Sequence, residues 1–143
     1  MPGVSQHLAQ AEHNEKLFYA LDHATYSDWA VTVLYYAGLQ YVDAYLSSIG
    51  IDDPGGHDVR DPLVRDTPAL RKVWPAYKRL KSFSRNARYY TRRFTASDIN
   101  GLRRGSYEPL KTEVRKLLGL NRPPTEPSRP SSLPPAASPP KAS

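Results

Sequence analysis

The sequence of 143 residues contains no cysteine and only four histidines, at His7, His13, His23 and His57. Without cysteine there is no disulfide, no thiolate metal site and no cysteine nucleophile. The histidines lack the i, i+4 spacing of a zinc-binding helix, and no phosphate-binding glycine loop or nucleophile-elbow motif occurs. We therefore expect neither a metal nor a cofactor.

A secretory signal and a long apolar run are also missing. A helix that spans a bilayer needs roughly 20 apolar residues. In the most apolar stretch, residues 28–49, Gln40 and Asp43 would lie in hydrocarbon. The first residues contain no basic n-region followed by an apolar h-region, as a signal peptide would. These absences predict a cytoplasmic protein with no membrane partner.

Helical periodicity dominates what is present, and no alternating pattern typical of a strand occurs. Residues 28–49 are predicted to form the central helix, with Ser27 as its N-cap and Gly50 as the left-handed residue that ends it. The dipeptide Asp61-Pro62 predicts the N-cap of a later helix. With 39% hydrophobic residues, we predict one all-α domain over residues 1–119, an up-and-down bundle of four to five helices.

The end of the chain has a different composition. Residues 120–143 are rich in proline and serine, with a single leucine to bury from residue 121 onward. Burial in such a segment cannot offset the entropy lost on ordering, so we predict a disordered tail. Its PxxP patterns arise by chance in any proline-rich segment, and we assign them no ligand.

Charge is divided unevenly along the chain, whose net charge is +6. Residues 1–66 carry three Lys/Arg and ten Asp/Glu, whereas residues 67–143 carry 17 Lys/Arg and four Asp/Glu. A basic half of this kind can hold an acidic partner such as nucleic acid. It can also pair with the acidic half of a second copy in a homodimer.

Much of the positive charge follows one face of a predicted fourth helix. Lysine and arginine recur there at three- and four-residue spacing, opposite an apolar stripe. With aromatic residues interleaved, this pattern is typical of a surface that contacts phosphates and stacks on unpaired bases. A solvated basic face is the alternative, and Arg88 could instead turn inward to pair with Asp43 or Asp22. The candidate phosphate-binding residues are Lys78, Lys81, Arg85, Arg88 and Arg92.

Four segments together resemble the HEPN family of small bacterial and archaeal helical bundles. They are AEHNEKLFYAL in the first helix, VLYYAGLQYVDAYL in the second, His57-Asp58-Val59 opening the third, and Ser84-Arg85-Asn86-Ala87-Arg88-Tyr89 near the end of the fourth. The resemblance covers residues 5–118 and implies a bundle that often forms homodimers. It also implies a setting of RNA cleavage, defence against mobile elements, or toxin–antitoxin pairs whose antitoxin is of the nucleotidyltransferase type.

The catalytic motif of HEPN ribonucleases does not occur in this chain. That motif, R-x(4-6)-H, cleaves RNA without a metal: the histidine assists attack by the 2′-hydroxyl and the arginine steadies the phosphate. Here the first arginine is Arg60 and the last histidine is His57, so no arginine precedes a histidine. The departure from the motif puts inherited nuclease activity in doubt.

An atypical catalytic pair is formed by His57 and Arg60, one turn apart if a helix begins there. An imidazole that titrates near neutral pH beside a guanidinium that binds phosphate is the minimum for metal-independent RNA cleavage. The structural alternative is that His57 caps a helix or bonds Asp58 or Asp61. Asp43 could orient the imidazole. The candidate supporting polar residues are Gln40, Asp43 and Tyr89.

Three functions fit these features. The leading prediction is a HEPN-like module that binds RNA, a nucleotide or a protein partner through the basic helix. The second is a metal-independent endoribonuclease that uses His57 and Arg60. The third is a structural protein that forms homodimers. The missing motif favours a binding protein over an enzyme.

Overall fold

The central helix organises the rest of the chain. The computed structural model describes residues 2–120, and within them the chain forms six α-helices and no strand. A 3₁₀ turn, Pro68–Val73, leads into the fourth helix, and a π-helical turn, Arg103–Tyr107, joins the fifth to the sixth. The helices are α1 (Val4–Ala20), α2 (Ser27–Ser48), α3 (His57–Asp66), α4 (Trp74–Tyr89), α5 (Ala96–Leu102) and α6 (Glu108–Leu117).

The predicted all-α bundle of four to five helices is confirmed. Because the π turn makes α5 and α6 one continuous segment, residues 2–120 contain five helical segments. Gly105 lies in this π turn. No helix of the described range is long and apolar enough to cross a membrane. The predicted disordered tail, beyond Leu120, lies outside the described residues.

The helix α2 is buried on most of its surface and packs against α1, α4 and α6. Its side chains Leu34, Tyr35 and Tyr41 are almost completely buried in the core. Gly38 lets α2 approach α4 closely, because a Cβ atom there would lie 3.1 Å from Leu80 Cδ1. Gly50 has a φ angle of 91°, which confirms the predicted left-handed end of the central helix.

The predicted N-cap role of Ser27 is wrong. Ser27 lies inside the first turn of α2, and its Oγ accepts a hydrogen bond of 3.0 Å from the buried backbone N–H of Phe94. This contact ties the connection between α4 and α5 to the start of the central helix. A serine hydroxyl can bond any nearby donor, so the local sequence does not decide between a cap and a tertiary contact.

The predicted N-cap at Asp61 is also wrong, because α3 begins earlier, directly after Gly56. Asp61 and Pro62 lie inside the helix, and the Asp61 carboxylate accepts hydrogen bonds from two side chains of α4. By contrast, Thr95 caps α5 through a partner in its own first turn: its Oγ1 accepts the Asp98 N–H at 3.1 Å. A local capping pattern is therefore sufficient to predict where α5 begins, whereas contacts with α4 decide the role of Asp61.

The Ser27 contact predicts a stability effect. Ser27→Ala leaves the buried Phe94 N–H without an acceptor, and we expect it to lower the free energy of unfolding by about 1–3 kcal/mol. The matched control is Ser48→Ala at the exposed end of α2, with an expected change within about 0.5 kcal/mol. Urea denaturation of both variants checks this, and equal effects would mean that the Phe94 contact contributes nothing.

Candidate nucleic-acid interface

The five candidate phosphate-binding cations lie along α4 and the loop that follows it. Arg88 and Lys81 are partly buried and the other three are exposed. Lys81 forms an ion pair with Asp61 of α3. Within residues 2–120, no carboxylate forms an ion pair with the other four, which are Lys78, Arg85, Arg88 and Arg92.

Aromatic rings lie against three of these guanidinium groups, and the Arg92 guanidinium carbon is 5.5 Å from the centre of the Phe94 ring. The Arg88 guanidinium carbon is 5.0 Å from the centre of the Tyr89 ring and 5.8 Å from that of Tyr36 on α2. Arg85 lies 5.9 Å from the same Tyr89 ring, which exposes 64% of its residue surface. Cation–π contacts restrain an arginine without neutralising its charge. We call the resulting surface the basic face; it consists of Lys78, Arg85, Arg88, Tyr89 and Arg92.

His57 is the first residue of α3 and lies close to the basic face. Burial lowers the pKa of His57 below its ordinary value, and the positive charges of Lys81, Arg60 and Arg88 lower it further, against the opposing charge of Asp61. The start of a helix adds a field that also disfavours an imidazolium. His57 is therefore held in its neutral form near neutral pH.

A chain of hydrogen bonds runs from His57 into the bundle. Tyr35 Oη lies 3.2 Å from His57 Nδ1 and 3.4 Å from Tyr77 Oη, and Tyr77 Oη donates to Asp61 Oδ1 at 3.3 Å. Burial raises the pKa of both tyrosines, that of Tyr35 to about 12, so each keeps its proton. Tyr77 donates its only proton to Asp61, so it can accept from Tyr35, and in that arrangement Tyr35 accepts from His57 Nδ1. The lone pair of His57 Nε2 then stays outside the chain.

Arg60 is held by a carboxylate of the central helix. Its Nε and Nη2 donate to Asp43 at 2.9 and 3.2 Å, and the two side chains are only 13% and 5% exposed. Burial alone would lower the pKa of Arg60, but the hydrogen bond and charge of Asp43 raise it above its ordinary value. Asp43 therefore bonds Arg60 and not the His57 imidazole, and the pair links α2 to α3.

Gln40 and Arg88 have other partners than the sequence suggested. Gln40 Oε1 lies 2.7 Å from His7 Nδ1 on α1, so Gln40 belongs to the interface between α1 and α2. The suggested inward pairing of Arg88 with Asp43 or Asp22 does not occur; Arg88 Nε donates to Ser84 Oγ at 3.0 Å within its own helix. The Arg88 guanidinium thus stays beside the tyrosine rings of the basic face.

A cavity of about 270 Å³ lies where the basic face meets the start of α2. Trp29 borders it and exposes 59% of its surface. The sequence-based prediction did not include Trp29, because an aromatic residue in an apolar helix is expected in the core and its exposure is visible only in the folded structure. Other residues of the lining are Asp28, Thr32, Arg88, Thr91 and Arg93.

Comparisons with protein-family models, with curated proteins and with solved structures find no match to this chain. The resemblance to HEPN proteins therefore stays a prediction. Among residues 2–120, no group of three His, Cys, Asp or Glu side chains is arranged to hold a metal ion.

The environment of His57 predicts a pH dependence of stability. The unfolded chain binds a proton at His57 near the ordinary pKa of 6.5, whereas the folded chain binds it only at lower pH. This contribution to stability is complete above pH 6.5 and is lost as the pH falls below that value. We expect the wild-type protein to lose more stability than His57→Gln between neutral and mildly acidic pH, by chemical denaturation. Identical pH profiles would contradict the assignment.

Proposed function

We propose that the chain binds single-stranded RNA through the basic face of α4. The main support is that Lys78, Arg85, Arg88 and Arg92 form no ion pair within residues 2–120. Two of these arginines flank the exposed Tyr89 ring. Unpaired cations contact phosphates and an exposed ring stacks on a base, which are the two features that a single strand presents.

The distribution of ion pairs supports an external acidic partner. Three pairs join the acidic first half of the chain to its basic second half within one molecule: Lys81–Asp61, Arg93–Asp28 and Lys111–Glu15. They neutralise part of the acidic half, whereas the basic face keeps its charge. In a homodimer, the basic face of one copy would meet an acidic half that has fewer unpaired carboxylates. RNA is therefore a better partner for the basic face. Homodimerisation itself stays a prediction.

The wider setting follows from the resemblance alone. A HEPN-like module without the R-x(4-6)-H motif would act in a bacterial toxin–antitoxin or defence system in the cytoplasm. A nucleotidyltransferase-type antitoxin would be its protein partner. The helical bundle is compatible with that family, and the basic face would be the part that holds the RNA.

A second candidate function is metal-independent cleavage of the bound RNA. The observation that favours it is the contact of His57 Nδ1 with Tyr35, which leaves neutral His57 with a free Nε2 lone pair when Nδ1 carries the proton. That atom would take the proton of a 2′-hydroxyl as its oxygen attacks the adjacent phosphorus. The P–O5′ bond breaks in the same step, which leaves a 2′,3′-cyclic phosphate, and the departing 5′-oxygen takes a proton from water. Because Arg60 is bound to Asp43 and Lys81 to Asp61, Arg88 is the cation better placed to stabilise the phosphate.

The two functions are separated by incubating end-labelled single-stranded RNA with the protein in EDTA and reading retention and cleavage from the same gels. We expect intact, retained RNA with the wild type and with His57→Ala. Cleavage by the wild type that is lost in His57→Ala and reduced in Tyr35→Phe would establish the nuclease instead. If RNA is neither retained nor cut at low salt, the proposed function is wrong.

A further inference from the structure

We propose that the cavity between α2 and the end of α4 binds one unpaired base of the RNA together with its phosphate, and that the base is preferentially guanine. This inference rests on the proposed RNA binding and adds the base that the protein recognises. The volume of about 270 Å³ lies just below the range of about 300–1,000 Å³ for pockets that hold drug-sized ligands. The cavity therefore suits a single base and not two.

Trp29 provides the stacking surface. Its exposed ring separates this cavity from a second one of about 410 Å³ on the α1 side, and Thr32 also borders both. The lining of the second cavity contains no charged residue, whereas the first contains Arg88 and Arg93. A stacked nucleotide carries a phosphate, so its base is favoured on the side of Trp29 that faces α4.

Asp28 provides a selective acceptor in the same cavity. Its ion pair with Arg93 spans 3.6 Å from Oδ2 to Nη1, which is longer than a hydrogen bond, so the carboxylate oxygens can still accept hydrogen bonds from a base. A carboxylate only accepts hydrogen bonds. Guanine presents two adjacent N–H donors on its Watson–Crick edge, whereas uracil presents one N–H between two carbonyl oxygens. Asp28 therefore favours guanine and disfavours uracil.

The backbone of the lining is consistent with a binding site. Thr91 has a φ angle of 51°, in the left-handed region that a β-branched residue rarely adopts. Strain of this kind concentrates where a loop must hold side chains in a fixed arrangement for a ligand. Here it turns the chain directly after α4, between Arg88 and Arg93.

The test uses the fluorescence of the full-length chain, whose two tryptophans are Trp29 and Trp74. In Trp74→Phe, the remaining Trp29 should be quenched saturably by guanosine 5′-monophosphate. Half-maximal quenching by uridine 5′-monophosphate should require a concentration higher by about 5- to 150-fold, which is the discrimination typical of a bidentate base contact. In Trp29→Phe, the signal of Trp74 should not change. Arg93→Ala should weaken the quenching, and Arg104→Ala, an exposed arginine outside the lining, should not.

A parallel titration with fluorescent single-stranded RNA separates this inference from the proposed function. Trp29→Ala should weaken RNA binding by about 5- to 150-fold, the effect of losing one stacked base. RNA binding that is unchanged in Trp29→Ala, with no quenching by either nucleotide, would overturn the base site while RNA binding stands. Equal quenching by both nucleotides would overturn the guanine preference. Absence of both RNA binding and quenching would overturn the two proposals together.

Discussion

Arg60→Ala is expected to lower the free energy of unfolding by about 3–5 kcal/mol. The substitution removes both donors from Asp43, whose side chain is only 5% exposed, and leaves a carboxylate buried without its partner. The large cost comes from leaving the Asp43 carboxylate buried without a partner. The net stabilisation by the intact ion pair is smaller, because removing both charges from water costs free energy. Urea denaturation followed by circular dichroism measures the effect.

The chain provides a matched control in Arg65→Ala. Arg65 also forms a two-point contact with a carboxylate, that of Asp66, but both side chains are exposed to water. Its loss should lower the free energy of unfolding much less than Arg60→Ala, because water screens an exposed ion pair. In the double variant Asp43→Leu with Arg60→Met no buried charge remains, and we expect it to be more stable than Arg60→Ala. If Arg60→Ala and Arg65→Ala cost the same, the pair is not a buried structural link.

The triple variant Arg85→Glu, Arg88→Glu and Arg92→Glu is expected to lower the affinity for single-stranded RNA by at least about 100-fold. Each arginine of the basic face can donate charge-assisted hydrogen bonds to phosphate, and each glutamate repels it. Fluorescence anisotropy with a labelled oligonucleotide at low salt measures the loss. Arg85 and Arg92 are exposed, whereas Arg88 is partly buried and donates to Ser84 Oγ, so circular dichroism of the variant checks that the fold is retained.

The matched control changes the net charge by the same amount elsewhere. Lys16, Arg104 and Lys116 are exposed and, within the described part of the chain, form no ion pair. Their reversal to glutamate should weaken RNA binding much less. Equal losses in the two triple variants would mean that total charge, and not the basic face, governs binding.

The helices could be predicted from the sequence because their signals are local. Apolar spacing identifies α2 and α4, Gly50 ends the central helix, and Thr95 with Asp98 caps α5. Such patterns depend on neighbours within one or two turns, so no tertiary information is needed.

The partners of polar side chains could not be predicted in the same way. Ser27 bonds a backbone group 67 positions away, and Asp43 bonds Arg60 across two helices. Asp61 resembles an N-cap in sequence, yet it accepts from Tyr77 and Lys81. Each of these groups has several chemically equivalent partners in the chain, and only the packing of α2, α3 and α4 selects one. The cations of the basic face could be predicted from their three- and four-residue spacing, whereas the exposure of Trp29 beside that face could not.

The most direct test of RNA binding by the basic face is the salt dependence of wild-type affinity for a single-stranded oligonucleotide. If Lys78, Arg85, Arg88 and Arg92 each neutralise one phosphate, the logarithm of the association constant should fall against the logarithm of salt concentration with a slope of about −3. The triple variant of the basic face should reduce that slope to about −1. A wild-type slope near zero, or no binding at low salt, would contradict RNA recognition by this face.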